Sequence, residues 1–312
     1  MNMLTSYVKN FLIKRLYDAN IVLQIIRFDP NRFTNLLNLN KKRGKFICRN
    51  GFILKFDKTN VKCMRRLFYF TLFEGILFSN KKGYWNYKNN IITTLQGIKF
   101  DIKLFDEIIF AETFLHDIHF SDFDLRNKVV IQAGGFTGDT ALYYANRGAK
   151  VYSFEPDPNS YEAAIRNLKL NPKLNKKIVF QNLAIDKDGI IEFPVNNDGS
   201  GGSSIYDIDK NKIVKIRSVS IKTILNEFKI KNPFLLDLDI KGSEFNVINE
   251  KVLSKFEIIR IEYSTKIGDK KIGSRSYIIK KLKQYGFSNI RLYKHNYGVY
   301  DLSEHGTIEA KK

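Results

Sequence analysis

The chain is poor in cysteine, proline, methionine and tryptophan: its 312 residues hold 2 Cys, 6 Pro, 3 Met and 1 Trp. Two thiols, Cys48 and Cys63, exclude a disulfide framework and a four-thiolate zinc site. They fit a reducing compartment, so a cytoplasmic place is expected. Few prolines beside 19 glycines exclude a collagen-like or low-complexity chain. No uncharged apolar run reaches about 18 residues, so no transmembrane helix is expected. The N-terminus lacks the charged start, apolar run and small-residue cleavage site of a signal peptide. His116 and His119, three residues apart, fall short of a zinc ligand set.

What is present describes a globular chain, 44% hydrophobic and 27% charged, long enough for one large domain or two modest ones. The formal net charge is +20, and residues 1–100 carry most of it, with 19 Lys+Arg against 4 Asp+Glu. Such asymmetry suits an anionic partner for that region: a nucleic acid, an acidic glycan or an acidic membrane surface met from the periphery. A Lys-rich, solvated surface explains the same charge without a partner.

Residues 4–27 read as a basic amphipathic helix, with Leu4, Val8, Phe11, Leu12, Leu16, Ala19, Leu23 and Ile26 at three- and four-residue steps. Phe46–Arg49 and Phe52–Phe56 flank Asn50-Gly51, which predicts a hairpin with a two-residue turn. Val61–Phe78 reads as an aromatic helix, 81–90 as a connection around Trp85, Gly97–Leu104 as a half-buried strand and Asp106–His116 as a short helix. From residue 128 short apolar strands alternate with helical stretches: Val129–Ala133 then 138–147, Val151–Phe154 then 158–170, Ile178–Gln181, Phe234–Leu238 then 242–254, Ile258–Ile261 then 274–285. That alternation predicts βαβ units in an α/β fold with a mostly parallel sheet. Phe287–Tyr293 and Tyr297–Leu302 predict an antiparallel C-terminal edge. Ile190–Pro194 and Ile213–Val219 predict an inserted hairpin. The expected division is a basic helical and hairpin region over 1–95 and a nucleotide-binding domain over 96–312.

Three segments carry chemistry. Val129 to Asp139 is a strand, a turn with Gly134, Gly135 and Gly138, and a helix start, where backbone approaches a ligand with no side chain between. It nearly fits a dinucleotide fingerprint, with Ala133 in the first glycine place, and lacks the Gly-Lys-Ser/Thr of a P-loop. Val151 to Asp157 ends a strand in Glu155, where a carboxylate can accept both ribose hydroxyls. Glu155 and Asp157 can instead cap the next helix. Leu235 to Glu244 sets Asp237 and Asp239 on one side of a buried strand, with Asp239 near its carboxyl end. A buried carboxylate needs a partner, and Lys241 or loop amides are candidates.

Taken in order, Gly134…Gly138-Asp139, Phe154-Glu155-Pro156-Asp157, Asn182-Leu183-Ala184-Ile185 and Asp239-Ile240-Lys241-Gly242-Ser243-Glu244 resemble the FkbM family of S-adenosylmethionine-dependent methyltransferases over about residues 96–302. The resemblance implies a Rossmann-like class I methyltransferase sheet, S-adenosyl-L-methionine as cofactor, and methylation of a hydroxyl on a sugar, lipid or other small molecule. Three positions depart from the family: Gln132 stands for an Asp that helps hold the methionine end of the cofactor, Phe136 for an Asn, and Lys241 for an acid.

On this reading Gly134, Gly135, Gly138, Asp139, Gln132, Pro156 and Asp157 surround the cofactor, Glu155 takes the ribose and Ala184 lines the adenine pocket. Asp239 is the first general base or acceptor orienter and a cofactor neighbour. Glu262 is a second base, and Glu244 is either catalytic or the anchor of its loop. No metal is expected, because no spacing demands one. His295 and His305 are candidate neighbours of the acceptor pocket. Two alternatives remain. Ribose methylation of RNA fits the basic N-terminal third, whereas base-N chemistry lacks its Asn/Asp-Pro-Pro-aromatic block and cytosine-C5 chemistry lacks a cysteine in the sheet domain. A redox or non-catalytic nucleotide-binding module would use the same glycines and Glu155.

Overall fold

The computed structural model describes residues 19, 21–27, 29–48, 51–77, 85–104, 106–114, 123–195, 213–267, 270–293 and 302–312. The chain forms two compact units, Met1–Phe123 and Asp124–Lys312. The division falls later than the 95/96 boundary expected from sequence. The reason is local: Lys99–Asp101 pairs with Ile91–Thr94, and Phe100 packs edge-on against Phe110 of the helix Glu107–Phe114.

In the first unit, residues 21–27 are helical, and positions 4–18 of the expected helix lie outside the described residues. Ile21 and Ile25, one helical turn apart, are the buried pair, whereas Leu23 and Ile26, assigned to the apolar face, are exposed. The hairpin is present as Gly44–Ile47 against Ile53–Phe56. Beyond the strand ends Cys48 N–H donates to Phe52 O at 2.8 Å, and Gly51, at φ +90°, donates to Cys48 O at 3.0 Å. Residues 49 and 50 of the expected turn lie outside the described residues. Val61–Leu77 is the aromatic helix, with Phe68 stacked on Phe46 of the hairpin. The stretch 81–90, expected as a connection, contains a strand, Trp85–Lys88, paired with Ile91–Thr94. Asn89 and Asn90, at φ +52° and +61°, make the turn. Asparagine tolerates that conformation better than other side chains with a Cβ.

The second unit is built on a seven-stranded sheet ordered Asn289–Tyr293, His305–Lys311, Ile258–Ser264, Leu235–Leu238, Val129–Ala133, Lys150–Phe154, Ile178–Gln181. Numbered by their order in the chain, these strands run 6-7-5-4-1-2-3 across the sheet. The five central and distal strands are parallel, and His305–Lys311 is antiparallel to both of its neighbours. The antiparallel edge is therefore real: it pairs Asn289–Tyr293 with His305–Lys311, and positions 297–301 of the expected strand lie outside the described residues. The inserted hairpin is Gly189–Pro194 against Ile213–Val219. The helix expected over 242–254 is broken into one turn, Glu244–Val247, and a 3-10 segment, Lys251–Lys255.

Alternation sorts the sheet's two faces. Ile131, Ala133, Leu236, Leu238, Ile259, Ile261 and Ile308 join Ile224, Ile278 and Leu282 of the covering helices in one apolar core. The opposite face carries a polar row in register: Ser153, Gln132, Asp237, Arg260 and Glu309, all buried. The order reverses between the Val129 and Leu235 strands, and ligands in open α/β sheets bind at the carboxyl ends beside such a reversal.

Candidate active site

The glycine turn sits at that reversal. Gly134 and Gly135 donate to Phe154 O at 3.0 and 2.9 Å, and Asp239 N–H donates to Ala133 O at 3.0 Å. Gly134 has φ +86°, and a Cβ there would lie 2.0 Å from Asp239 O. The loop after the Leu235 strand thus presses its backbone on the turn, which explains the glycine. Gly138, at φ +79°, precedes the helix Asp139–Asn146. Asp139 is buried, and the Thr137 and Thr140 hydroxyls face its carboxylate at 3.4 and 3.2 Å. Phe136 has φ +42°, a conformation costly for a residue with a Cβ.

Glu155 meets this turn. Phe136 N–H donates to its Oε2 at 2.8 Å and Asp157 N–H to its Oε1 at 2.8 Å. Burial pushes the carboxyl up to about 7, against the pull of those two amides. Capping falls to Asp157, whose Oδ1 accepts from Asn159 and Ser160 N–H at 2.8 and 3.1 Å. Asn182 ties the loop down, its Nδ2 donating to Glu155 O and Pro156 O at 2.8 and 3.1 Å. Ala184 pairs with Ser218 and packs in a small cluster with Phe193 and Ile216.

Asp237 and Asp239 part company. Asp237 is buried and held by a cation: Arg260 Nη1 donates to Oδ1 at 2.7 Å and Tyr144 OH to Oδ2 at 2.8 Å. Asp239 lies past the strand end, half-buried. Burial and the Glu262 carboxylate hold its carboxyl well above the usual range. Lys241 sits at φ +40° in the turn that follows.

Glu244, expected among the catalytic acids, is fully buried. Its Oε1 accepts from Ser264 N–H at 3.0 Å and its Oε2 from Gly242 N–H, and burial pushes it up to about 7. Its oxygens tie the Gly242 turn to the end of the Ile258–Ser264 strand, which anchors that loop. Glu262 is half-buried, 3.9 Å from Arg260 Nη2 and 3.8 Å from His305 Nε2. Gln132 is buried, with its Oε1 accepting from Ser153 Oγ at 2.7 Å.

The structure sets Glu155 against the turn that carries Gly134, Gly135 and Gly138, with Asp157 capping the next helix; sequence reasoning missed Arg260 and Tyr144, and assigned Asn182 no role of its own. Arg260 had a signal, a charge inside the apolar run Ile258-Ile259-Arg260-Ile261 two strand residues before Glu262. Among the described residues, no group of three or more His, Cys, Asp or Glu is arranged to hold a metal, and no helix is long and apolar enough to cross a membrane.

The strand order, the glycine turn at the reversal and the acid on the neighbouring strand define a Rossmann-like class I methyltransferase. The FkbM methyltransferase domain matches residues 130–293, more than half of the chain. The chain belongs to that family and is an S-adenosylmethionine-dependent methyltransferase. Among solved structures it is similar to a methyltransferase FkbM from Methylobacillus flagellatus KT, at 16% identity and TM-score 0.42 over 81% of this chain and 55% of that one. It is also similar to precorrin-6y C5,15-methyltransferase from Geobacter metallireducens GS-15, at 12% identity and TM-score 0.36 over 67% and 91%. A third likeness is to Aeropyrum pernix fibrillarin with natively bound S-adenosyl-L-methionine, at 10% identity and TM-score 0.36 over 61% and 70%. No curated protein matches the chain.

Proposed function

We propose that the chain is an O-methyltransferase whose acceptor is a hydroxyl of a sugar, a lipid-linked glycan or another small molecule. The observation that carries this is the set of carboxylates at the sheet's carboxyl rim. Glu155 stands against the glycine turn, and Asp239 and Glu262 stand close enough for one to raise the other. Oxygen acceptors need their proton removed, and rim acids of that kind suit the task.

The residues fit the cofactor. Each Glu155 oxygen accepts one amide N–H, and a carboxylate oxygen can accept a second bond. Two lone pairs therefore remain for a ribose diol. Gly134, Gly135 and Gly138 leave backbone bare beside it. Gln132 brings no charge, so Asp239, whose backbone touches Gly134, is the acid available to an ammonium group. The cofactor supplies an activated methyl group when bound. The chain's share is to orient the acceptor oxygen in line, exclude water and take the hydroxyl proton.

Titration calorimetry with S-adenosylmethionine tests the site, and comparison of cell extracts with and without the protein, seeking a mass difference of one CH2 group, tests the acceptor class. Absence of binding at millimolar cofactor contradicts this reading. A second reading, ribose methylation of RNA, is favoured by the 19 Lys+Arg against 4 Asp+Glu in residues 1–100. It requires RNA affinity that weakens as salt is added. The same charge supports a peripheral place at an acidic membrane surface, which sedimentation with anionic vesicles tests.

A further inference from the structure

We infer that His305, paired with Glu262, is the general base that receives the acceptor's hydroxyl proton. This deepens the O-methyltransferase reading and rests on it.

The final strand runs antiparallel, so its first residue arrives at the carboxyl end of the parallel strands, where ligands bind. His305 lies opposite Ser264 and Thr307 opposite Glu262. By alternation His305 and Ser264 share the face that carries Glu262 and Arg260. Ser264 Oγ lies 3.0 Å from Nδ1 of the imidazole and fixes the ring's orientation. Nε2 stands 3.8 Å from Glu262 Oε1. That is too long for a hydrogen bond, but close enough for a carboxylate to stabilise an imidazolium. Arg260 Nη2 lies 3.9 Å from the other oxygen of that carboxylate, Glu262 Oε2.

The approach to His305 is held on both sides. Thr265 N–H donates to Glu304 O at 2.7 Å, and Tyr263 OH donates to Leu302 O. The His305 and Glu262 side chains keep 21% and 16% of their surface exposed, enough to be reached by a substrate yet sheltered from bulk water. Glu244, with none of its surface exposed, has no such opening. Glu262 also lies near Asp239, so the pair stands beside the loop that presses on Gly134.

In the step, the acceptor oxygen bonds to the methyl carbon of the sulfonium donor as the carbon–sulfur bond breaks. The bonding pair goes to sulfur, leaving a neutral thioether. The hydroxyl proton passes to Nε2 of His305, and the resulting imidazolium faces Glu262 until water takes the proton.

The test is 15N NMR of the full chain with labelled histidine, loaded first with S-adenosylmethionine and then with S-adenosylhomocysteine. The two ligands differ by one methyl group and one positive charge, so an imidazole beside the reacting carbon reports the exchange. His305→Gln assigns the signals. The expected result is a His305 ring resonance that differs between the two complexes. His305→Gln should bind S-adenosylmethionine within about two-fold of the parent, while transfer of labelled methyl into a small-molecule extract falls about 100-fold. Identical His305 resonances in two saturated complexes, or transfer retained in His305→Gln, overturns the inference and leaves the cofactor reading standing. No calorimetric binding of either ligand overturns both.

Discussion

Two buried acids on strands flanking the Val129 strand, Glu155 and Asp237, show how different partners give similar residues different work. Asp237 is closed on itself. It has a guanidinium on one oxygen and a phenol on the other, under a row of in-register polar residues. Burial alone would disfavour the Arg260 charge, and Asp237, Tyr144 and Glu262 together more than restore it. Glu155 is held by two amides, with no cation within ion-pair distance among the described residues, and burial lifts it to about 7. A carboxylate matched by a cation is a structural rivet. One left with amides alone keeps both spare lone pairs and a low cost of accepting further donors.

The largest effect that can break this contrast is at Arg260. Arg260→Leu leaves Asp237 charged and unpaired in the sheet, and should cost about 3–5 kcal/mol in denaturant unfolding. Adding Asp237→Leu should recover most of that loss, since a buried pair can be replaced by apolar residues. No second substitution should repair the cofactor affinity lost with Glu155.

Next is pH. Glu155 and Glu244 both stand at about 7 in the fold, above the ordinary 4.5. Between pH 4.5 and 7 the folded chain therefore binds more protons than the unfolded one. Stability should fall as pH rises through that window, by up to a few kcal/mol. Glu155→Gln should flatten part of the slope in thermal unfolding of the ligand-free protein. Cofactor affinity should move the other way and rise with pH through 7, because ribose hydroxyls donate to the ionised carboxylate.

Tyr144→Phe removes one neutral donor from Asp237 and should cost about 1.5–3 kcal/mol, less than Arg260→Leu. The smallest effect is Phe136→Asn. It places a residue that tolerates positive φ where the turn demands it, and should stabilise the ligand-free chain by about 1 kcal/mol. Loss of stability there would mean that Phe136, which is buried, contributes more by packing than its backbone loses.

Much of this arrangement is legible in sequence because it is local. The Val129 strand, its glycines and Glu155 lie within one βαβ unit, and a period-2 apolar run followed by glycines fixes their order. Asp237 was legible as a buried acid, but not its partner, since pairing with Arg260 depends on register between two strands joined by a broken helix. His305–Lys311, with its Glu and Lys on the inward face, hides its burial behind charge. The Trp85–Lys88 strand was missed because asparagines dominate its neighbourhood, and the positive φ of Asn89 and Asn90 is what makes them a hairpin turn.

The central claim is that the Glu155 carboxylate, set against the glycine turn, is what grips the cofactor. Calorimetric titration of the parent and of Glu155→Ala with S-adenosylmethionine, with circular dichroism to show that both remain folded, tests it most directly. The account predicts saturable binding by the parent and a loss of about 100-fold or more in the variant, roughly 2.7 kcal/mol. Equal affinity in a folded Glu155→Ala chain would contradict it.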